Sequence, residues 1–137
     1  MADPPAACPT TAELRGAKCV PCEGGVPKLS REQAEARIGV VEGWTLSEDA
    51  DGIEKRYDTG DFVTALAFVN RVGLLAEADG HHPDLHLTGY RHAEVVLSTH
   101  AIGGLSENDF ILAAKIDALG DPKAAKKRDD QQEGGAA

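Results

Sequence analysis

The stretch GHHPDLHLTGYRHAEVVLSTH, residues 80–100, holds all five histidines of the chain, and its reading decides the fold. Pro83 bars helical continuation. Beyond it Leu85 and Leu87 alternate with His86 and Thr88, Gly89 to Arg91 offer a turn, and Ala93, Val95 and Leu97 alternate with Glu94, Val96 and Ser98. Period-two alternation on both sides of a turn is a β-hairpin with one apolar face. A turn centred between Tyr90 and Arg91 makes facing residue numbers sum to about 181, with directly opposed Cβ atoms roughly 4.5–5.5 Å apart. His81 then faces His100, His82 faces Thr99, and His86 faces Val95, while His92 sits near the tip. The histidines sort into a trio, His81, His82 and His100, and two outliers.

Working outward, Ser30 with Gln33 three residues on forms a capping box that starts a helix running to about Val41. Trp44 and Leu46, then Ile53, Lys55 and Tyr57, alternate with polar residues about an Asp51-Gly52 turn, a first hairpin. From Asp61 to about Asp79 the residues Phe62, Leu66, Val69, Val72 and Ala76 recur at helical spacing, ending at Gly80. Ser106, with Asp109 at the third helical position, caps a last helix whose apolar positions are Phe110, Ala113, Ala114, Ile116 and Leu119. The order α-β-β-α-β-β-α predicts an α+β domain: a four-stranded antiparallel sheet with helices packed on one face. Residues 1–28, which carry Cys19-Val-Pro-Cys22, have no sustained periodicity and read as a loosely ordered arm. Residues 29–120 form the domain, and 121–137 a disordered tail.

At 137 residues the chain is about one domain long. Its formal charge of −9 argues against nucleic acid and against an anionic membrane surface as partners. No apolar run approaches the roughly 20 residues of a membrane span, and MADPPAACPT lacks a signal-peptide pattern, so the expected compartment is the cytoplasm. The 3 cysteines are odd in number and confined to the N-terminal part, unlike a secreted disulfide framework. One CxxC without a second pair is half of a zinc ribbon and lacks the context of a redox site.

Histidine serves both proton transfer and metal binding. His82 and His86 have the spacing of a helical metal pair, but Pro83 denies them the helix, and adjacent His81 and His82 point to opposite sides of an extended backbone. An HH pair that merely caps the preceding helix and favours its C-terminal dipole is the structural alternative. A third histidine folded against the pair favours proton transfer.

Glu77-x-x-x-His81-His82-Pro83, six residues, Tyr90, nine residues, His100, eight residues and Asp109 resembles the pattern of the pterin-4a-carbinolamine dehydratases. The likeness extends through THAIGGLSENDFILAAKID, through Gly43-Trp44 and ALAFVNRV, and back to KCVPCEGG, which is similar to the N-terminal segment of bacterial and plant members. The resemblance implies dehydration of 4a-hydroxytetrahydrobiopterin to quinonoid dihydropterin, as in tetrahydrobiopterin recycling, without a metal or other cofactor. It implies that His81 and His100 are the acid/base pair at C4a and that His82 binds and orients the pterin. Glu77 and Asp109 would then hold imidazole tautomers, with Pro83 and Tyr90 as further motif positions. The chain departs from many members in having Gly80 before the HH pair and Leu85 where an aromatic is common, which leaves Tyr90 as the nearest ring for the pterin. The family also includes a dimerisation cofactor of a homeodomain transcription factor and RuBisCO assembly factors, so RuBisCO is the partner under a non-catalytic reading. Free sheet edges predict a homodimer or homotetramer.

Overall fold

The structure is a computed structural model and describes residues 9–19, 27–120 and Pro122. Its elements are α1 (Thr11–Gly16), α2 (Arg31–Ile38), β1 (Thr45–Leu46), β2 (Ile53–Asp58), α3 (Phe62–Asp79), β3 (Asp84–Thr88), β4 (His92–Leu97), a short 3₁₀ turn (His100–Ile102) and α4 (Glu107–Asp117). The four strands form one antiparallel sheet in the order β1-β2-β4-β3, with the two expected hairpins joined through β2 and β4. Ile53, Ala93, Val95 and Leu97 are buried on the face under the helices, while Glu54, Arg56 and His86 lie exposed on the other. Among the described residues no helix is long and apolar enough to cross a membrane.

The second hairpin differs from its expected register by one residue. Asp84 faces Val96, Leu85 faces Val95 and His86 faces Glu94, and the pairing stops before His81. The reason is parity: residues opposed across an antiparallel pair share a face, and the residues of both strands that turn toward the core, Leu85, Leu87, Ala93, Val95 and Leu97, all carry odd numbers. Gly89 and Tyr90, both left-handed with φ of 54° and 56°, close the turn, and Arg91 continues it by donating its N–H to the Gly89 carbonyl. The first hairpin is looser than its Asp51-Gly52 reading. Thr45 faces Glu54 and Leu46 faces Ile53, so the connection spans Ser47 to Gly52. The Ser47 hydroxyl holds it together, donating to Asp51 Oδ1 and accepting from the backbone N–H groups of Asp51 and Gly52.

The long helix keeps Val72, Ala76 and the partly buried Val69 of the expected stripe but orients its first two turns differently. Ala65, Phe68, Val72 and Ala76 are buried, whereas Phe62 and Leu66 are about half exposed. The sequence of α3 is apolar almost all round, so packing rather than periodicity sets its phase; the Phe68 ring lies 4.6 Å from that of Tyr57 on β2.

Helix α4 is buried from Asn108 to Ala114 and again at Ile116. Helix α3 packs against it, and so does α1, which the sequence pattern left as irregular chain. α1 begins with a reciprocal capping box between Thr10 and Glu13, and its Leu14 is 2% exposed. Part of the expected loose arm is therefore a covering layer of the core. The remainder of that arm, with Cys8 and Cys22, and the tail other than Pro122 lie outside the described residues.

Candidate active site

Antiparallel pairing brings the start of β3 and the end of β4 to the same end of the sheet, so the segments carrying His81-His82 and His100 leave it together. The N-terminal turn of α4 points to that end as well. Asp109 on this turn is fully buried, and its Oδ1 lies 2.6 Å from Nε2 of His81, itself 5% exposed. The second oxygen, Oδ2, accepts from the Thr99 hydroxyl at 2.8 Å and from the Ser106 backbone N–H at 3.0 Å, while the Thr99 and Ser106 hydroxyls meet at 2.7 Å. One carboxylate thus joins His81 to the residue immediately before His100.

Local sequence explains each placement. Gly80 takes the left-handed conformation, φ 67°, that ends α3, and its N–H bonds back to the Ala76 and Glu77 carbonyls. His81 leaves the helix with its own N–H on the Ala76 carbonyl. Thr99 and Gly104 pair through their backbones around the 3₁₀ turn that bears His100, and left-handed Gly103 closes that turn. The Lys28 side chain lies over Gly104, where a Cβ would stand 2.5 Å from its Cε and displace it.

His82 is exposed and its Nε2 donates to Glu77 Oε1 at 2.8 Å, also exposed. Such a pair in open water orients a side chain more than it stabilises the fold. Pro83 follows directly and ends any helical continuation. Tyr90 lies elsewhere: it occupies the hairpin tip, at the far end of β3 and β4 from the histidines, and is 59% exposed. His86 and His92 lie on the open face of the sheet, outside the trio. Thr99 and Ser106 are the site residues that sequence reasoning missed. The signal for them was present in the Ser106/Asp109 cap, because a carboxylate drawn to a helix start beside a buried strand end needs several donors.

Chemically the arrangement suits proton transfer. A carboxylate can only accept, so Asp109 fixes the neutral His81 ring as the Nε2–H tautomer and makes Nδ1 its basic nitrogen, and it stabilises the imidazolium after protonation. Among the described residues no group of three His, Cys, Asp or Glu side chains is arranged to hold a metal ion. A cavity of about 800 Å³ lies at the other end of α4, bounded by Arg15, Glu42, Lys55, Tyr57 and Asp117, and no histidine lines it. There Asp117 accepts from the Trp44 indole, Lys55 and Tyr57, which ties the end of α4 to the sheet.

The α+β domain thus carries a buried His–Asp pair and two further histidines at one end of its sheet. The sequence profile described as pterin 4 alpha carbinolamine dehydratase matches residues 27–119. A Halorhodospira halophila protein named "Putative pterin-4-alpha-carbinolamine dehydratase" is 56% identical over 102 residues, covering 74% of this chain and 93% of its own. The Arabidopsis thaliana protein named pterin-4-alpha-carbinolamine dehydratase 2, mitochondrial, is 43% identical over 111 residues, covering 79% of this chain and 59% of its own. Among solved structures, a transcriptional coactivator/pterin dehydratase from Brucella melitensis superimposes with a TM-score of 0.63 at 28% identity, over 68% of this chain and 98% of its own. The chain belongs to the pterin-4a-carbinolamine dehydratase family.

Proposed function

We propose that the protein is a 4a-hydroxytetrahydrobiopterin dehydratase. The observation that carries this reading is the His81–Asp109 couple, tied through Thr99 to the segment bearing His100, in a chain of this family. In the reaction the C4a–O bond breaks, the oxygen leaves as water after taking a proton, and the adjacent ring N–H loses its proton to give the quinonoid dihydropterin. One group must donate and another accept, and neither step changes a redox state. His81 and His100 fill these two roles. His82, held by Glu77, binds and orients the pterin. Asp109 keeps the His81 ring in one tautomer and steadies its charged form. Tyr90, remote from the histidines within one chain, meets the pterin only if a second copy brings it there. A homodimer or homotetramer is part of the proposal, supported by the exposed apolar side chains Phe62, Val63, Leu66 and Leu74 along α3. The free, buried thiol of Cys19 suits a reducing compartment such as the cytoplasm.

The test is turnover of a 4a-hydroxytetrahydropterin, generated in situ, by the purified chain. Acceleration above the uncatalysed rate that persists in EDTA is expected. A rate equal to background would overturn the reading and leave a binding role, of which RuBisCO assembly is the first to examine by pull-down with the large subunit.

A further inference from the structure

The contact between His81 and Asp109 joins two segments far apart in the chain, the end of α3 and the start of α4. Neither segment forms that contact by local geometry, so something must hold the two helix ends at one separation. Helix α3 packs on β3, on β4 and against α4, and the chain segment that follows α1 reaches both helix ends.

Leu14 anchors this segment against α4, and from there it crosses to the end of α3. Lys18 Nζ reaches the Ala78 carbonyl at 3.4 Å, and the Cys19 backbone N–H reaches Asp79 Oδ2 at 3.5 Å. The buried Cys19 thiol donates to the Asn108 carbonyl at 3.5 Å. Asp79 stands two residues before His81, and Asn108 immediately before Asp109. Cys19 therefore touches both segments whose meeting makes the site. Lys115 of α4 completes the link with a 2.8 Å bond to Asp79 Oδ2, between side chains 17% and 9% exposed.

We propose that residues 14–19 act as a strap that sets the His81–Asp109 distance, with Cys19 and Asp79 as positioning residues for the imidazole. The individual bonds to the strap are long, and their effect lies in convergence: a thiol, a backbone N–H and an ammonium all act on one joint between two helices. The chemistry of the groups agrees. Burial first, and then the neighbouring Asp79 charge, push the Cys19 thiol up to about 12, so it keeps its proton and remains a donor at neutral pH. Burial acts to raise the pKa of Asp79, but its bonds from Lys115 and Cys19 outweigh that and hold the carboxyl below its ordinary value, so it stays a charged acceptor. The strap's effect on turnover rests on the dehydratase reading, whereas its effect on the geometry of His81 does not.

The experiment uses the full chain with Cys19→Ala, Cys19→Ser and Asp79→Asn, each confirmed folded at the assay temperature by a thermal melt. Val41→Ala, a core change outside the contacts of the strap, serves as the control for general destabilisation. Two quantities are read: the ¹H–¹⁵N resonances of the His81 ring, and the kcat and KM of dehydration. The expected result is a shifted or broadened Nε2–H signal in Cys19→Ala and Asp79→Asn, with kcat lower by several-fold and KM little changed. Partial recovery in Cys19→Ser and no change in the Val41→Ala ring signal are also expected. Folded strap variants whose His81 resonances and kcat match the parent would overturn the strap. A parent chain without dehydratase activity overturns the functional reading instead, and the ring resonances still decide the strap.

Discussion

His81 Nε2 and Asp109 Oδ1 stand 2.6 Å apart with the carboxylate wholly out of solvent, while Asp109 Oδ2 is held by Thr99 and Ser106. Replacing Asp109 by Asn keeps the shape but places an amide where His81 needs an acceptor. We expect kcat to fall by much of the roughly 10²–10⁴ that acid–base catalysis contributes, with the fold retained. Steady-state kinetics beside a melting curve check this, and an unchanged kcat contradicts the assigned role.

Thr99→Val removes one donor to Asp109 and leaves the Ser106 hydroxyl facing a methyl group. The expected cost is about 1–3 kcal/mol of stability, with a fall in kcat, while Thr99→Ser restores most of both. Chemical denaturation and turnover of the two variants provide the measurement. Equal behaviour of Val and Ser would show that the hydroxyl is idle.

The histidines separate by kinetics. His81→Ala and His100→Ala should lower kcat and kcat/KM together, by about 10²–10⁴, whereas His82→Ala should chiefly raise KM. His86→Ala and His92→Ala, on the open face of the sheet, should change neither. Five variants with one common profile would contradict the division of roles.

Stability at high pH follows from Cys19. An unfolded thiol titrates near about 8.5, but the folded one near about 12, because burial disfavours the thiolate. Its folded pKa is raised, so its contribution is complete below the unfolded value and is lost as pH climbs through the window toward the folded one. The melting temperature of the wild type should therefore fall more steeply than that of Cys19→Ala across this range. The comparison at each pH cancels the shared contribution of Tyr57, whose hydroxyl is also raised by burial and then by Asp117. Parallel curves would show that the thiol is not buried in solution.

Leu14→Ala should destabilise the chain by about 2–5 kcal/mol, the usual cost of emptying a buried leucine site. Urea unfolding measures it. A loss below about half a kcal/mol would mean that α1 does not cover α4.

Much of this was legible in the sequence, and what was not has physical reasons. The alternation at Leu85, Leu87, Ala93, Val95 and Leu97 identified the hairpin, and odd numbering throughout already excluded a facing sum of 181, because opposed residues share a face. The stripe of α3 was ambiguous because Phe62 and Leu66 are as apolar as Ala65 and Phe68. The run Phe110-Ile111-Leu112-Ala113-Ala114 is apolar on every side, which demands cover on more than one face and so called for a helix that the short, weakly periodic Thr11–Gly16 did not announce. Of the candidate site, the spacing singled out the histidines, and the resemblance added Glu77 and Asp109. Thr99 was not found, since only its neighbours in space reveal it.

The thiol of Cys19 meets its acceptor across 89 residues of chain. On a ribosome the first layer of this domain is therefore made long before the helix it must cover, and Leu14 waits in solvent until residues near 110 emerge. Contacts of such sequence separation close late and slow the overall folding rate. A nascent chain that ends after β4 has all its strands but leaves Leu14 without the helix that covers it, which is the stage at which a holdase would find it.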